Sequence, residues 1–350
     1  MSDIQDKQKT ASTCNDESYA FEATASFAQQ RLWFLDQLEP GSTAYNINFA
    51  LRLKGMLNEN ALQQALNSLV NRHESLRTTF DTVDNIPIQV IAEEETISLE
   101  MHQIAEQDTE NGILLELTNQ PFDLNKGPLL RAHIVVTNEA ECILLLVIHH
   151  AIADAWSLQI IYSELATLYE ANIAGTEAEL PKLTIQYADY AEWQREWLNG
   201  DQLRSQLDYW TGILNDSPEK IEIPTDKPRP RIQSSAGANC THTLSKELTG
   251  QLKQLSQSNS TTLFNVALAV FDILLGRYAG TDEVVIGTPI AGRKRPELQN
   301  LIGFFLNTIV LRADLSDDPE FEKFLTCVKK DSLAALANDD LPFDKLVKEL

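Results

Sequence analysis

The stretch that most constrains this chain is ILLLVIHHAIADAWSLQIIYSEL, residues 143–165. Six apolar residues in a row, rich in β-branched types, predict a strand buried on both faces. From Leu158 onward, Ile161, Leu165 and Leu168 recur at three- and four-residue spacing, which is one face of a helix. His149 and His150 therefore stand where a buried strand ends and a helix is about to begin. Side chains alternate across a strand, so the two imidazoles are expected to point opposite ways, one into the core and one toward a cavity. A single histidine at a strand end is more often a satisfied core residue than a catalyst. Two in succession, followed by Asp154 at a strand-to-helix junction, point to chemistry.

At 350 residues the chain is too long for one ordinary core and predicts two lobes. No run approaches the ~20 apolar residues of a membrane-spanning helix. The first 20 residues are polar and mixed in charge, which predicts a disordered leader and not a signal peptide. Cys14, Cys142, Cys240 and Cys327 are scattered without metal or redox spacing, so no metal centre is expected and a reducing cytoplasm fits. The net charge of −23 excludes the basic footprint that nucleic-acid binding needs. It also means that docking of an acidic partner would need local basic patches. Arg229, Arg231, Arg293, Lys294 and Arg295 are the visible candidates.

In chain order, SFAQQRLWFLDQL at 26–38 predicts a helix capped by Ser26, and 45–53 predicts a strand. A helix at 58–71, capped by Asn58, precedes RHESLRTTF at 72–80. Arg72 and Arg77 there must each rim the surface or anchor a loop through a carboxylate, because a buried arginine has to be paired. Short strands follow at 87–91 and 97–104, then a helix near 109–119 and a hairpin of strands 129–136 and 142–148. The aromatic stretch 187–210 reads as helix packed on the first lobe. Residues 215–238 have the Pro-, Ser- and charge-rich composition of a crossing between lobes. The first lobe thus spans 21–214 and the second 239–350. The second is predicted to open on a strand near 239–244 and a helix at 246–257. A strongly apolar helix buried on most sides follows, then a strand through 301–315. The order is α/β throughout, with central sheets and outer helices.

These residues resemble a condensation domain of nonribosomal peptide synthetases. SFAQQRLWFLDQLEPGSTAYNI is similar to the family's opening motif, RHESLRTTF to its second, and HHAIADAWS to its His-His-x-x-x-Asp-Gly motif. YADYAEWQREWL, IGFFLNTIVLR and NDDLPFDKLVKEL follow as the fourth to sixth motifs. Six motifs in order over 26–350 make the match specific, and the opening resembles the subclass joining an L-configured donor to an L-amino-acid acceptor. The resemblance implies a two-lobed pseudo-dimer like chloramphenicol acetyltransferase, an α+β sandwich with mixed sheets and a tunnel between the lobes. Phosphopantetheine arms would enter that tunnel from donor and acceptor peptidyl carrier proteins. No cofactor is bound by the chain itself, and an adenylation domain is expected beside it. The product is an amide, made when the acceptor amine attacks the donor thioester.

Carried over position by position, the catalytic histidine is His150 and the supporting one His149. Asp154 is expected in a structural ion pair with an arginine of the second lobe, Arg293 in GTPIAGR. Backbone N–H groups at the start of the following helix are candidate oxyanion donors. Trp156 and Ser157 receive no chemical role. Two departures matter. Ala155 stands where the family has glycine. At negative φ it only trims space by a methyl, whereas at positive φ it strains the loop by ~1–2 kcal/mol and displaces His150. The chain also stops after the sixth motif, which predicts an incomplete second lobe. Peptide-bond formation is the leading reading. The alternatives are a degenerate carrier-binding or interface domain, and an acyltransferase using a free alcohol or amine.

Overall fold

A computed structural model of the chain describes residues 20–105, 109–218, 220–231 and 237–350. The expected leader, residues 1–19, lies outside the described residues. The chain divides into two compact units, and the first returns late in the sequence. It holds the residues up to Trp197 together with Ala291–Leu306, whereas the second holds Leu198–Ile290 and Asn307–Leu350.

The first unit runs β1 (Ala20–Thr24), α1 (Phe27–Leu38), β2 (Asn46–Lys54), α2 (Glu59–Arg72), a 3₁₀ turn (Glu74–Arg77), β3 (Thr78–Val83), β4 (Ile86–Ala92) and β5 (Leu99–Gln103). It continues with α3 (Glu110–Thr118), β6 (Leu130–Asn138), β7 (Glu141–His149), α4 (Ala155–Ala174) and α5 (Tyr187–Trp197). Two sheets result, one of order β1-β4-β3 and one of order β2-β7-β6-β5. In the larger sheet β7 lies between β2 and β6, antiparallel to both, and β5 adds parallel to β6. Both neighbours of β7 are strands, and every residue from Cys142 to His149 is buried. That explains the unbroken apolar run: neither face can tolerate an unpartnered polar group, and each buried aliphatic side chain contributes roughly 1.5–3 kcal/mol.

Local signals set the helix starts. Ser26 caps α1 in a full capping box, accepting from Gln29 N–H at 3.1 Å while Gln29 Oε1 accepts from Ser26 N–H at 2.9 Å. Asn58 and Thr109 cap α2 and α3 in the same way through one oxygen each.

The second unit contains α6 (Gly200–Leu214), α7 (Lys246–Ser258), α8 (Leu263–Ala279), β8 (Glu283–Ile290), β9 (Asn307–Asp314), α9 (Phe321–Ala337) and α10 (Phe343–Glu349). β8 and β9 pair antiparallel. Trp210, Val266, Val284, Leu311 and Phe324 belong to its core.

Four sequence expectations change here. Residues 239–244 form no strand; they are exposed and irregular, and the mixed polar run gives no face to bury. The strand expected over 301–315 starts only at Asn307, because backbone groups of residues 302–305 are bonded to side chains instead of a neighbouring strand. The apolar helix α8 is not buried on most sides, since Phe264, Val270, Phe271, Leu274 and Tyr278 are exposed. The aromatic stretch divides: Tyr187, Tyr190 and Trp193 pack in the first unit, Tyr209 and Trp210 in the second. Among the described residues no single helix is long and apolar enough to cross a membrane; α7 and α8 meet that test only as a pair bent by 102°.

Candidate active site

The loop after β7 is held by backbone hydrogen bonds and by a helix cap. At the strand's end, His149 N–H donates to Leu129 carbonyl at 2.9 Å, and His150 N–H donates to Tyr45 carbonyl at 2.8 Å. Ile152 N–H closes a turn onto His149 carbonyl at 3.1 Å. Asp154 then caps α4, its Oδ1 accepting from Ser157 N–H at 2.8 Å.

The two histidines differ in environment and in tautomer. His149 is buried, near the rings of Tyr45 and Phe122. Its Nδ1 accepts from Ala151 N–H at 3.2 Å, so its ring proton sits on Nε2. Burial, with a smaller push from His150, lowers its pKa to about 4, which keeps it neutral. His150 is half-buried, its ring 4.9 Å from that of Phe304. Its Nδ1 lies 2.7 Å from Ala153 carbonyl. A carbonyl only accepts, so Nδ1 carries the proton and, in the neutral ring, Nε2 offers a lone pair.

Asp154 and Arg293 meet within the first unit, because Arg293 belongs to the returning stretch Ala291–Leu306 and not to the second lobe expected from the sequence. Arg293 Nη2 lies 3.1 Å from Asp154 Oδ1, and both side chains are almost fully buried. Nη2 also donates to Ser157 Oγ at 2.8 Å, and Nη1 donates to the carbonyls of Leu298 and Leu301, each at 2.6 Å. Four of the five guanidinium protons are thereby used. Burial pushes the guanidinium below its ordinary pKa, and Asp154 offsets part of that. The Arg293 head also sits 4.0 Å over the Phe305 ring.

Ser157 received no role from sequence, yet it is a junction. Its hydroxyl lies 2.8 Å from Asp154 Oδ1 and 3.0 Å from Gly303 carbonyl, and its one proton serves one of them at a time. It accepts from Gly303 N–H at 3.1 Å. Phe305 N–H donates to Asp154 Oδ2 at 3.2 Å, and Tyr187 hydroxyl donates to Phe304 carbonyl at 2.6 Å. Segment 302–305 is thus bolted beneath the histidine loop, and Phe304 presses against His150.

Glycine is required at two places in the returning stretch Ala291–Leu306. A Cβ on Gly303 would fall 1.9 Å from the Tyr187 ring. Gly292, at φ +64°, would put one 2.2 Å from Phe305 carbonyl oxygen.

Ala155 is the first residue of α4, is exposed, and is not among the described non-glycine residues with positive φ. The alanine causes no backbone strain. The Ser157 N–H, at the start of α4, is already taken by Asp154, which removes one candidate oxyanion donor.

Arg72 and Arg77 both anchor, neither at His150. Arg72 Nε is 3.0 Å from Glu164 Oε2, and the same oxygen lies 2.8 Å from His73 Nε2. Arg72 also donates to Pro181 carbonyl. Burial alone would raise the Glu164 carboxyl, but His73 and Arg72 outweigh it and hold it below the usual range. Arg77 donates to Ala92 carbonyl at the end of β4.

Sequence reasoning also missed Gln29 and Tyr187. Gln29 is fully buried and donates to Ala151 carbonyl at 3.2 Å and to Gln89 Oε1 at 3.1 Å, linking α1 to the histidine loop. A glutamine at the third position of a capping box in a motif helix was the available signal. Tyr187 opens the fourth motif, but its partners lie far along the chain and nothing local names them.

The fold and this loop define a class: a chloramphenicol-acetyltransferase-like fold carrying a histidine motif. The condensation-domain profile matches residues 20–350, and the chain belongs to that family. It is 47% identical over 331 residues to a polypeptide of the linear gramicidin synthase of Brevibacillus parabrevis, covering 93% of this chain. The chain spans only 4% of that relative's length. The X-domain in its complex with OxyB from teicoplanin biosynthesis is similar at a TM-score of 0.85 and 28% identity, covering 97% of this chain and 74% of that one. The first condensation domain of the CDA synthetase shares the fold at a TM-score of 0.78 and 20% identity, covering 94% of this chain and 79% of that one.

Proposed function

We propose that this chain forms an amide bond between two substrates tethered to carrier proteins. The acceptor aminoacyl amine attacks the carbonyl of the donor thioester. A C–N bond forms, the C–S bond breaks, and the donor's phosphopantetheine thiol leaves with a proton. The observation that carries this reading is the Nδ1 bond from His150 to Ala153 carbonyl, which leaves the lone pair of the neutral ring on Nε2. Such a nitrogen can accept the amine proton or orient the amine. Holding two tethered reactants together supplies much of the remaining acceleration.

His149, buried and neutral, supports the loop, and Asp154 with Arg293 holds its far side. No cofactor of the chain's own is needed, because the phosphopantetheine arms belong to the peptidyl carrier partners. An adjacent adenylation domain would load the acceptor. The likeness of 26–38 to the family's opening motif supports an L-configured donor and an L-aminoacyl acceptor. The work of such an assembly line fits a cytoplasmic location.

A second reading is a carrier-binding or interface domain without turnover. It draws on the likeness to the X-domain, a protein solved in complex with OxyB. Intact-protein mass spectrometry separates the two, with a donor loaded on one carrier and an acceptor on another. Transfer by this chain, reduced about 10²–10⁴-fold in a folded His150→Ala variant, is the expected result. Carrier binding by folded protein with no transfer would favour the interface reading. Transfer to a free amine or alcohol would point to another acyltransferase.

A further inference from the structure

We propose that Glu100, His102 and His133 form a binding site for one divalent transition-metal ion of the zinc kind, where β5 runs beside β6. The parallel register sets Glu100 opposite His133, and His102 follows Glu100 by two residues on the same face of β5. Three ligand atoms converge there. His133 Nδ1 lies 3.2 Å from Glu100 Oε2 and 3.1 Å from His102 Nε2, and His102 Nε2 lies 3.7 Å from Glu100 Oε2. A tetrahedral ion with bonds of ~2.0–2.1 Å holds neighbouring ligand atoms about 3.3 Å apart. Each edge of this triangle is therefore close to the required length before any ion is added.

The chemistry of the three atoms agrees. With both imidazoles neutral, all the protons that can lie inside the triangle belong to rings, and the carboxylate can only accept. Some pair of acceptors must then face each other unbridged when only one ring proton points inward. A cation satisfies all three atoms together. Two imidazoles and a carboxylate suit zinc, cobalt or nickel better than calcium or magnesium, whose ligands are all oxygen. Glu100 is exposed, so solvent can fill the fourth position. Arg131 stands on the same face of β6, but its guanidinium is held by Gln120 and lies 3.9 Å over the Phe122 ring.

This site is separate from His150. His133 pairs with Leu145 of β7, four residues before His149, which is roughly 13 Å along the strand. An ion there would clip β5, which among the described residues pairs on one side only, to β6.

The test titrates the full chain, free of any polyhistidine tag and stripped with chelator, with zinc chloride in a calorimeter. Cobalt(II) chloride is followed in parallel by visible absorption. One equivalent is expected to bind, with the absorption of a tetrahedral cobalt site. His102→Gln and Glu100→Gln, at sites that are not fully buried, should each weaken binding at least about tenfold while circular dichroism is unchanged. His242→Gln, a control outside the triangle, should bind as the parent does. Absence of binding to the parent, or unchanged affinity in the two triangle variants, overturns the proposal.

Discussion

His149 and His150 are adjacent in sequence and use the same ring atom in opposite senses. His149 Nδ1 accepts a backbone proton from Ala151, and His150 Nδ1 donates one to Ala153 carbonyl. Four residues of loop thus fix two different tautomers, leaving Nε2–H on the buried ring and a lone pair on the other.

Acid should weaken the first unit through His149. Its pKa is about 4 in the folded chain against 6.5 when exposed, so the unfolded chain binds more protons between those values. The stabilisation is complete above pH 6.5 and is lost as pH falls toward 4, by up to about 3 kcal/mol. Urea unfolding at stepped pH should show this limb, and His149→Gln should flatten it. An unchanged limb in the variant would assign acid lability to other groups.

The buried ion pair should be costly to halve. Asp154→Asn and Arg293→Met are each expected to destabilise by about 3–5 kcal/mol, because each leaves buried polar groups unpaired. The double variant should lose clearly less than the sum. Additive losses in thermal melts would mean that the two side chains do not act as a unit.

Restoring the family's glycine should not improve the protein. Ala155 begins a helix at ordinary φ and its methyl faces outward, so Ala155→Gly is expected to cost up to about 1 kcal/mol. Amide transfer measured on loaded carriers should stay within about threefold of the parent, a difference under ~1 kcal/mol in barrier. A large gain in transfer would show that the methyl obstructs a substrate.

Gly303→Ala should be far more damaging than an added methyl suggests. Tyr187 cannot stay where it is, so its bond to Phe304 carbonyl is lost and the surface behind His150 shifts. A stability loss of about 1–3 kcal/mol is expected, with a further drop in transfer. Tyr187→Ala in the same chain should recover part of the stability but not the transfer.

The second unit should respond to pH in the opposite direction. Asp272 is buried in α8, its Oδ1 has no hydrogen-bond partner among the described residues, and burial raises its pKa to about 7. The folded chain therefore holds a proton that the unfolded chain releases above pH ~4, and stability falls as pH rises toward 7. Asp272→Asn should raise the melting temperature at pH 8 and much less at pH 5. Equal effects at both would exclude titration of this carboxyl as the cause.

Much of the first unit was legible because its signals are local. The apolar run 143–148, the caps Ser26 and Asn58 and the turn between β6 and β7 each need only neighbouring residues. The Asp154–Arg293 contact was reached through the family likeness. Segment 302–305 was not legible: its apolar letters read as strand, while the side chains that bind its backbone lie 117–227 residues away in sequence. The Glu100–His102–His133 triangle was hidden for a similar reason, since only the parallel register of β5 and β6 brings a residue 31 positions on into place. Exposure on α8 depends on what packs against it, which composition does not encode.

The late return of Ala291–Leu306 to the first unit also dictates an order of assembly. The bonds joining Asp154 and Ser157 to Arg293, Gly303 and Phe305 close loops of 136–151 residues. Long-range closures of this kind are entropically costly and slow to form. During synthesis the strand bearing the histidines can emerge and pair with β2 and β6 while the groups that brace its loop have not yet been translated. The histidine loop would then be among the last parts of the unit to become rigid, and a nascent chain stalled before residue 291 would hold the motif without its support.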